Sequence, residues 1–312
     1  MRYLLTLTLL ITLNSCKVLN QRKSNERLTE YKMEWQGYER NYLVYAPGSL
    51  KESKKAPLLF HLHGGGGTAQ GTPGLTFNKF NQLAEKEGFI VVYPNAIDKN
   101  WNDGRSFHFK NHDFKDIDDV GFILQIIDQV SKKHLIDRDR IFSTGMSNGG
   151  FMTTRLLCDE ADVFRGGAIL TAQISEDYFP KCNPGQPVGV LVMNGTADEL
   201  VPYDGGEIKV LGQKRGEIIS TDEYIDFWRK HNGCETTPNE TLTVDTKDDG
   251  TSVQIDKYSG CDNRGALELY TINNGGHTWP GGKQYLGERL IGKTSRDINA
   301  CEVIWDFFKS LN

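Results

Sequence analysis

Apolar residues fall along this chain in short continuous runs, separated by longer stretches in which they recur every three or four positions. Pro57-Leu58-Leu59-Phe60-His61-Leu62 is one such run, and residues 89–93, 141–144, 167–171, 188–193 and 267–272 are others. Runs of this length suit strands buried on both faces, as in a parallel sheet. Residues 38–45 alternate and predict an early strand with one open face. Between the runs, Ile117, Val120, Leu124, Ile127 and Val130 have the spacing of an amphipathic helix. Residues 77–87, 151–158, 221–231 and 296–310 predict further helices. Alternating strands and helices predict an α/β fold with a mostly parallel central sheet and helices on both faces. No repeat or linker divides the chain, so a single domain is expected over residues 31–312, with no large lid domain. The polar stretch 236–256 reads as an excursion from it.

At 312 residues the chain is long enough for a substantial core. Its net charge of −5 offers no basic excess for phosphates, so nucleic acid is not expected as a partner. Met1-Arg2 followed by an apolar segment to Leu13 is too short to span a bilayer and reads as a signal peptide over residues 1–15. Leu13-Asn14-Ser15-Cys16 resembles a bacterial lipoprotein processing site, which implies lipidation of Cys16. Residues 16–30 would then be a tether, and membrane contact would come only through that anchor. Simple secretion with Cys16 incidental is the alternative.

Export implies an oxidising compartment. Among the remaining cysteines, Cys158 with Cys182 and Cys234 with Cys261 each close a modest loop and are expected to pair. Cys301 shares the apolar stripe of the C-terminal helix with Ile298, Trp305 and Phe308, and reads as a buried free thiol. No cysteine or histidine grouping suggests a metal site, and no cofactor motif is present.

Gly145-Met146-Ser147-Asn148-Gly149 sits between a predicted strand and a predicted helix. In that setting Gly-x-Ser-x-Gly places a serine on a sharp turn clear of the sheet. A serine nucleophile needs a base oriented by a carboxylate, and sheet enzymes of this type supply them in the order Ser, acid, His. Asp198 follows the run 188–193, and His277 follows the run 267–272. Only His231 and His277 lie downstream of Ser147, and His231 ends a helix. The expected triad is therefore Ser147, Asp198 and His277. The oxyanion donors are expected to be the backbone amides of Asn148 and of Gly65, in the loop His63-Gly64-Gly65-Gly66-Gly67. No Gly-Lys-Ser/Thr follows that loop, so it is a poor phosphate loop. Trp279 and Trp101 are candidate walls for a sugar or aromatic ring, the alternative being that they pack beneath loops. Asp118 and Asp119 look like an acid/base pair but fit better as caps of the helix that follows.

Leu62-His63-Gly64-Gly65, Trp101-Asn102-Asp103-Gly104, Asp118-Asp119-Val120-Gly121-Phe122, Gly145 to Gly150, Gly195-Thr196-Ala197-Asp198 and Gly275 to Gly281 resemble the polyhydroxybutyrate depolymerase-like and feruloyl esterase family. The matching blocks run from about Arg40 to Phe308. The resemblance implies an α/β-hydrolase fold with Ser147, Asp198 and His277 at the triad positions. Asn194 departs from it, since histidine is common there. The substrates implied are feruloyl or acetyl esters of plant polysaccharide, or polyhydroxyalkanoate esters. A single tethered domain without a surface-binding module favours the carbohydrate esters. A peptidase of the same fold would need a gating domain for which there is no room, and a non-catalytic envelope binding protein would not need the triad. Oligomeric state is not legible.

Overall fold

A computed structural model of the chain describes residues 27–51, 53–106, 116–210 and 212–311. The expected signal segment and Cys16 lie outside the described residues. One sheet runs in the order β1 (Leu28–Trp35), β2 (Tyr38–Tyr45), β4 (Ile90–Pro94), β3 (Ala56–Leu62), β5 (Ile136–Met146), β6 (Gly166–Leu170), β7 (Gly189–Gly195), β12 (Ala266–Asn273), β11 (Ser252–Tyr258), β10 (Glu240–Val244). From β4 to β12 every neighbour pair is parallel. The two flanks are antiparallel. A separate hairpin, β8 (Gly206–Val210) with β9 (Gln213–Ile218), joins the body through a bridge from Ser175 to Ile218.

The helices are α1 (Thr72–Leu75), α2 (Lys79–Glu87), α3 (Asp119–Ser131), α4 (Asn148–Asp159), α5 (Thr221–His231), α6 (Glu288–Ile291) and α7 (Ala300–Ser310). Two cores result, one on each face of the sheet. Leu58, Phe60 and Leu62 of β3 point to the core built with α3, α4 and α5. Leu59, between them, points to the core shared with α2 and α7. Every residue of β3 is buried, which is why it reads as an unbroken apolar run. The α/β architecture expected from the sequence is therefore present, with helices on both faces.

Three expectations change. β1 begins at Leu28, three residues inside the segment read as a tether; its Tyr31, Met33 and Trp35 alternate with charged residues. Residues 236–256 are not an excursion, because β10 and β11 extend the sheet, with Val253 buried against it. The α2 helix starts at Lys79 because Phe77 and Asn78 have φ of 53° and 58°, outside helical geometry. Both expected disulfides, Cys158–Cys182 and Cys234–Cys261, are formed, and Cys301 is a buried free thiol. Loops of 24 and 27 residues make each cross-link worth about 3 kcal/mol in chain entropy.

Candidate active site

Parallel strands deliver their C-terminal ends to one edge, and ligands of open α/β sheets bind there. Ser147 follows β5, Asp198 follows β7, and His277 follows β12 on that edge. Ser147 has φ 56° and ψ −125°, a strained conformation for a residue with a side chain. Its N–H donates to the Leu170 carbonyl at 2.9 Å and to Thr171 Oγ1 at 3.1 Å, which holds the turn. The flanking glycines are steric necessities. A Cβ on Gly145 would lie 2.4 Å from the Gly149 backbone, and one on Gly149 would lie 2.4 Å from the Leu62 carbonyl oxygen.

Asp198 and His277 meet. His277 Nδ1 lies 2.7 Å from Asp198 Oδ2, with both side chains nearly inaccessible. Asp198 Oδ1 accepts the Leu200 and Val201 amides, each at 2.9 Å, so the carboxylate caps its own turn as well as holding the ring. The histidine backbone is clamped too: its N–H donates to the Ile291 carbonyl, and its carbonyl accepts the Tyr285 hydroxyl. This arrangement occupies Nδ1 and leaves Nε2 as the nitrogen available to a substrate. No hydrogen bond joins Ser147 Oγ to His277 in this structure; such bonds commonly tighten only with ligand bound.

Asn148 is fixed by its side chain. Oδ1 accepts the Trp101 amide at 2.7 Å, while Nδ2 donates to the Trp101 carbonyl at 3.1 Å and to Asp103 Oδ2 at 2.7 Å. Asp103 is gripped by the Arg105 guanidinium. Beneath this loop, the Asn102 amide donates to Asp119 Oδ2, and Asp119 Oδ1 accepts from Arg40 at 2.6 Å in a fully buried pair. Burial pushes the Asp119 carboxyl up, against the pull of Arg40 and the Asn102 amide. Asp118 caps α3 through the Gly121 amide as expected. Asp119 does not: it turns inward to Arg40.

The glycine loop rests on His63, a residue sequence reasoning passed over. Its Nδ1 faces the Gly64 carbonyl at 2.8 Å, and its Nε2 faces the Ala96 amide at 3.1 Å. These partners require a neutral ring that donates from Nδ1 and accepts at Nε2. Burial accordingly pushes its pKa down to about 4, and buried His61 falls to about 3. Among the described residues, neither the Gly65 amide nor the Asn148 amide has an intramolecular acceptor.

The tryptophan walls are not there. Trp101 is 1% exposed and donates through Nε1 to the His63 carbonyl, so it supports the loop from below. Trp279 is equally buried, packed against His61 and Phe80. An aromatic two residues from a candidate base reads the same in sequence whether it faces the cleft or the core. Asn194 pins the loop after β6 through Ala172 and bonds Thr221. Tyr285 carried no sequence signal, and Asp103 was legible only as part of the block Trp101 to Gly104, without the role that its bond to Asn148 gives it. Among the described residues no group of acidic, histidine and cysteine side chains could hold a metal.

Residues 75–176 match the prolyl oligopeptidase family, about a third of the chain. A protein of Nocardia uniformis subsp. tsuyamanensis that carries an esterase name, NocK, is 28% identical over 280 residues, covering 87% of this chain and 79% of its own length. Feruloyl esterase B of Piromyces equi is 29% identical over 251 residues, 78% of this chain; the chain spans only 44% of that protein. The solved acetyl xylan esterase from Aspergillus awamori superposes with a TM-score of 0.60 at 13% identity, covering 90% of this chain and 99% of that one. The chain has the α/β-hydrolase fold, and its relatives include feruloyl esterases.

Proposed function

We propose that this chain is a serine hydrolase of carboxylic esters, with feruloyl or acetyl esters of plant polysaccharide as its substrates. The observation that carries the reading is the Asp198–His277 couple at 2.7 Å, on the same sheet edge as a serine held in a strained turn. Ser147 Oγ attacks the acyl carbonyl while His277 Nε2 takes its proton. Asp198 stabilises the imidazolium and fixes the tautomer. The Asn148 and Gly65 amides receive the oxyanion, where fixed dipoles stabilise developing charge most. His277 then protonates the leaving alcohol, water attacks the acyl-enzyme, and the acid departs.

The names of the relatives support the choice of acyl group. Two disulfides support export, and the sequence of residues 1–16 supports a lipid anchor on Cys16. Turnover of methyl ferulate and acetylated xylo-oligosaccharide by the wild type is expected to fall about 10⁴-fold or more in Ser147→Ala, with loss of fluorophosphonate labelling. Unchanged turnover in that variant would overturn the assignment. Preferential release of hydroxybutyrate from short oligomers would replace the substrate class.

A further inference from the structure

Beside the candidate nucleophile lies a cavity of about 500 Å³. Gly64 and Met146 form the wall next to Ser147; a Cβ on Gly64 would sit 3.7 Å from Ser147 Cβ. Leu62 and Leu75 contribute apolar surface, and Tyr285, which bonds the His277 carbonyl, closes another side. A group attached to the reacting carbonyl can therefore reach this space without leaving the site.

The charged residues of its lining are all of one sign. Lys99 and Lys283 line the cavity and no carboxylate does. His61 and His63, which also line it, are held neutral by burial. Among the described residues neither lysine has an ion-pair partner. In a chain of net charge −5, two unpaired ammonium groups at one pocket are a local reversal.

Both lysines are anchored on walls of the cavity by their backbones. The Lys99 carbonyl accepts the Gly66 amide at 2.8 Å, tying it to the glycine loop, and its φ is 62° beside Asp98 at 45°. Two consecutive left-handed residues with side chains cost energy that the surrounding contacts must hold. The Lys283 amide donates to the Leu75 carbonyl at 2.8 Å, tying it to the end of α1. The two cations thus belong to separate segments of the chain, each tied by a backbone hydrogen bond to a residue that lines the cavity.

We propose that this cavity selects esters bearing a carboxylate, with Lys99 and Lys283 receiving the anion. The inference rests on the ester-hydrolase reading of Ser147. The shared chemistry is an anionic carboxylate near the scissile ester. It can sit on the acyl arm, as in a dicarboxylic half-ester, or on the alcohol arm, as in an acylated uronate.

Two matched pairs test it at low salt. Mono-p-nitrophenyl glutarate against p-nitrophenyl butyrate probes the acyl arm, and O-acetylated galacturonate oligomers against O-acetylated xylo-oligomers probe the alcohol arm. One anionic member is expected to exceed its neutral counterpart by about fivefold or more in kcat/KM, with the preference collapsing near 0.5 M salt, where the screening length is a few ångströms. In the Lys99→Gln/Lys283→Gln double variant the ratio should fall to about one, and in Lys283→Glu it should drop further. The pair showing the preference identifies the arm. The proposal is overturned if neither anionic ester is preferred, or if the preference survives the double variant. If no ester of either kind is turned over and Ser147 resists fluorophosphonate, the hydrolase reading itself has failed.

Discussion

Two buried carboxylates in this molecule have almost the same first neighbours. Asp198 contacts His277 at 2.7 Å and accepts the Leu200 and Val201 amides. Asp119 contacts Arg40 at 2.6 Å and accepts the Asn102 amide. The difference lies in what the partner has left to offer. Imidazole engaged through Nδ1 still has Nε2, which can take a proton and return it. Guanidinium keeps its proton at any working pH, and Arg40 is covered by Phe122 on one side and by Asn95 and Asp119 at its tip. The first pair is suited to chemistry. The second locks the floor of the loop that carries Trp101 to Asp103.

That contrast can be broken at each pair separately. Asp198→Asn should reduce kcat for p-nitrophenyl acetate by about 10⁴-fold with little change in Tm, because geometry survives while the tautomer is lost. Asp119→Ala should do the reverse in emphasis. Leaving Arg40 buried without its partner costs about 3–5 kcal/mol, a fall in Tm on the order of 10 °C by calorimetry. An Asp119→Ala protein that melts like the wild type would show that the pair is not structural.

A smaller effect links the two regions. Asn148→Ala removes the side-chain hydrogen bonds to Trp101 and Asp103 while keeping the backbone amide proposed to receive the oxyanion. Displacing that donor should cost about 10²-fold in kcat, with KM changing much less, in steady-state assays. Equal losses in kcat for Asn148→Ala and Asp198→Asn would mean that the network does more than position.

The smallest effect concerns pH. His61 and His63 have folded pKa values of about 3 and about 4, below the ordinary histidine value. The unfolded chain therefore binds more protons between about pH 6.5 and 4, and stability must fall as pH falls through that window. Each histidine contributes a slope of up to about 1.4 kcal/mol per pH unit. His61→Leu should flatten the fall in denaturation midpoint between pH 6.5 and 4; an unchanged slope would exclude His61 as a contributor.

Much of this was written in the chain. The parallel strands are legible because burial on both faces forces unbroken apolar runs, and Ser147 because its turn tolerates only glycine at 145 and 149. Asp198 and His277 follow from order along those strands. The β1 strand was not read: Glu30, Lys32 and Glu34 on its open face obscure its alternation, and its first residues, 28–30, fall in the stretch read as a polar tether. What could not be read depends on contacts across the chain. The bond from Asn148 to Asp103 spans 45 residues, and although each lies in a block that resembles the family, nothing local pairs the two. Whether Trp279 faces cleft or core is decided by His61 and Phe80, almost two hundred residues or more before it.

The segment after His277 has a dual duty. Ile291 and Tyr285 hold the backbone of the candidate base, and Tyr285 and Lys283 also shape the cavity beside it. Changing what the pocket accepts by altering this stretch therefore disturbs the candidate base as well. Retuning the pocket is freer around Thr68 to Thr72, which among the described residues make no hydrogen bond to the segment after His277. Diversification of this scaffold, by laboratory evolution or by design, has more room there than in the segment from His277 to Ile291.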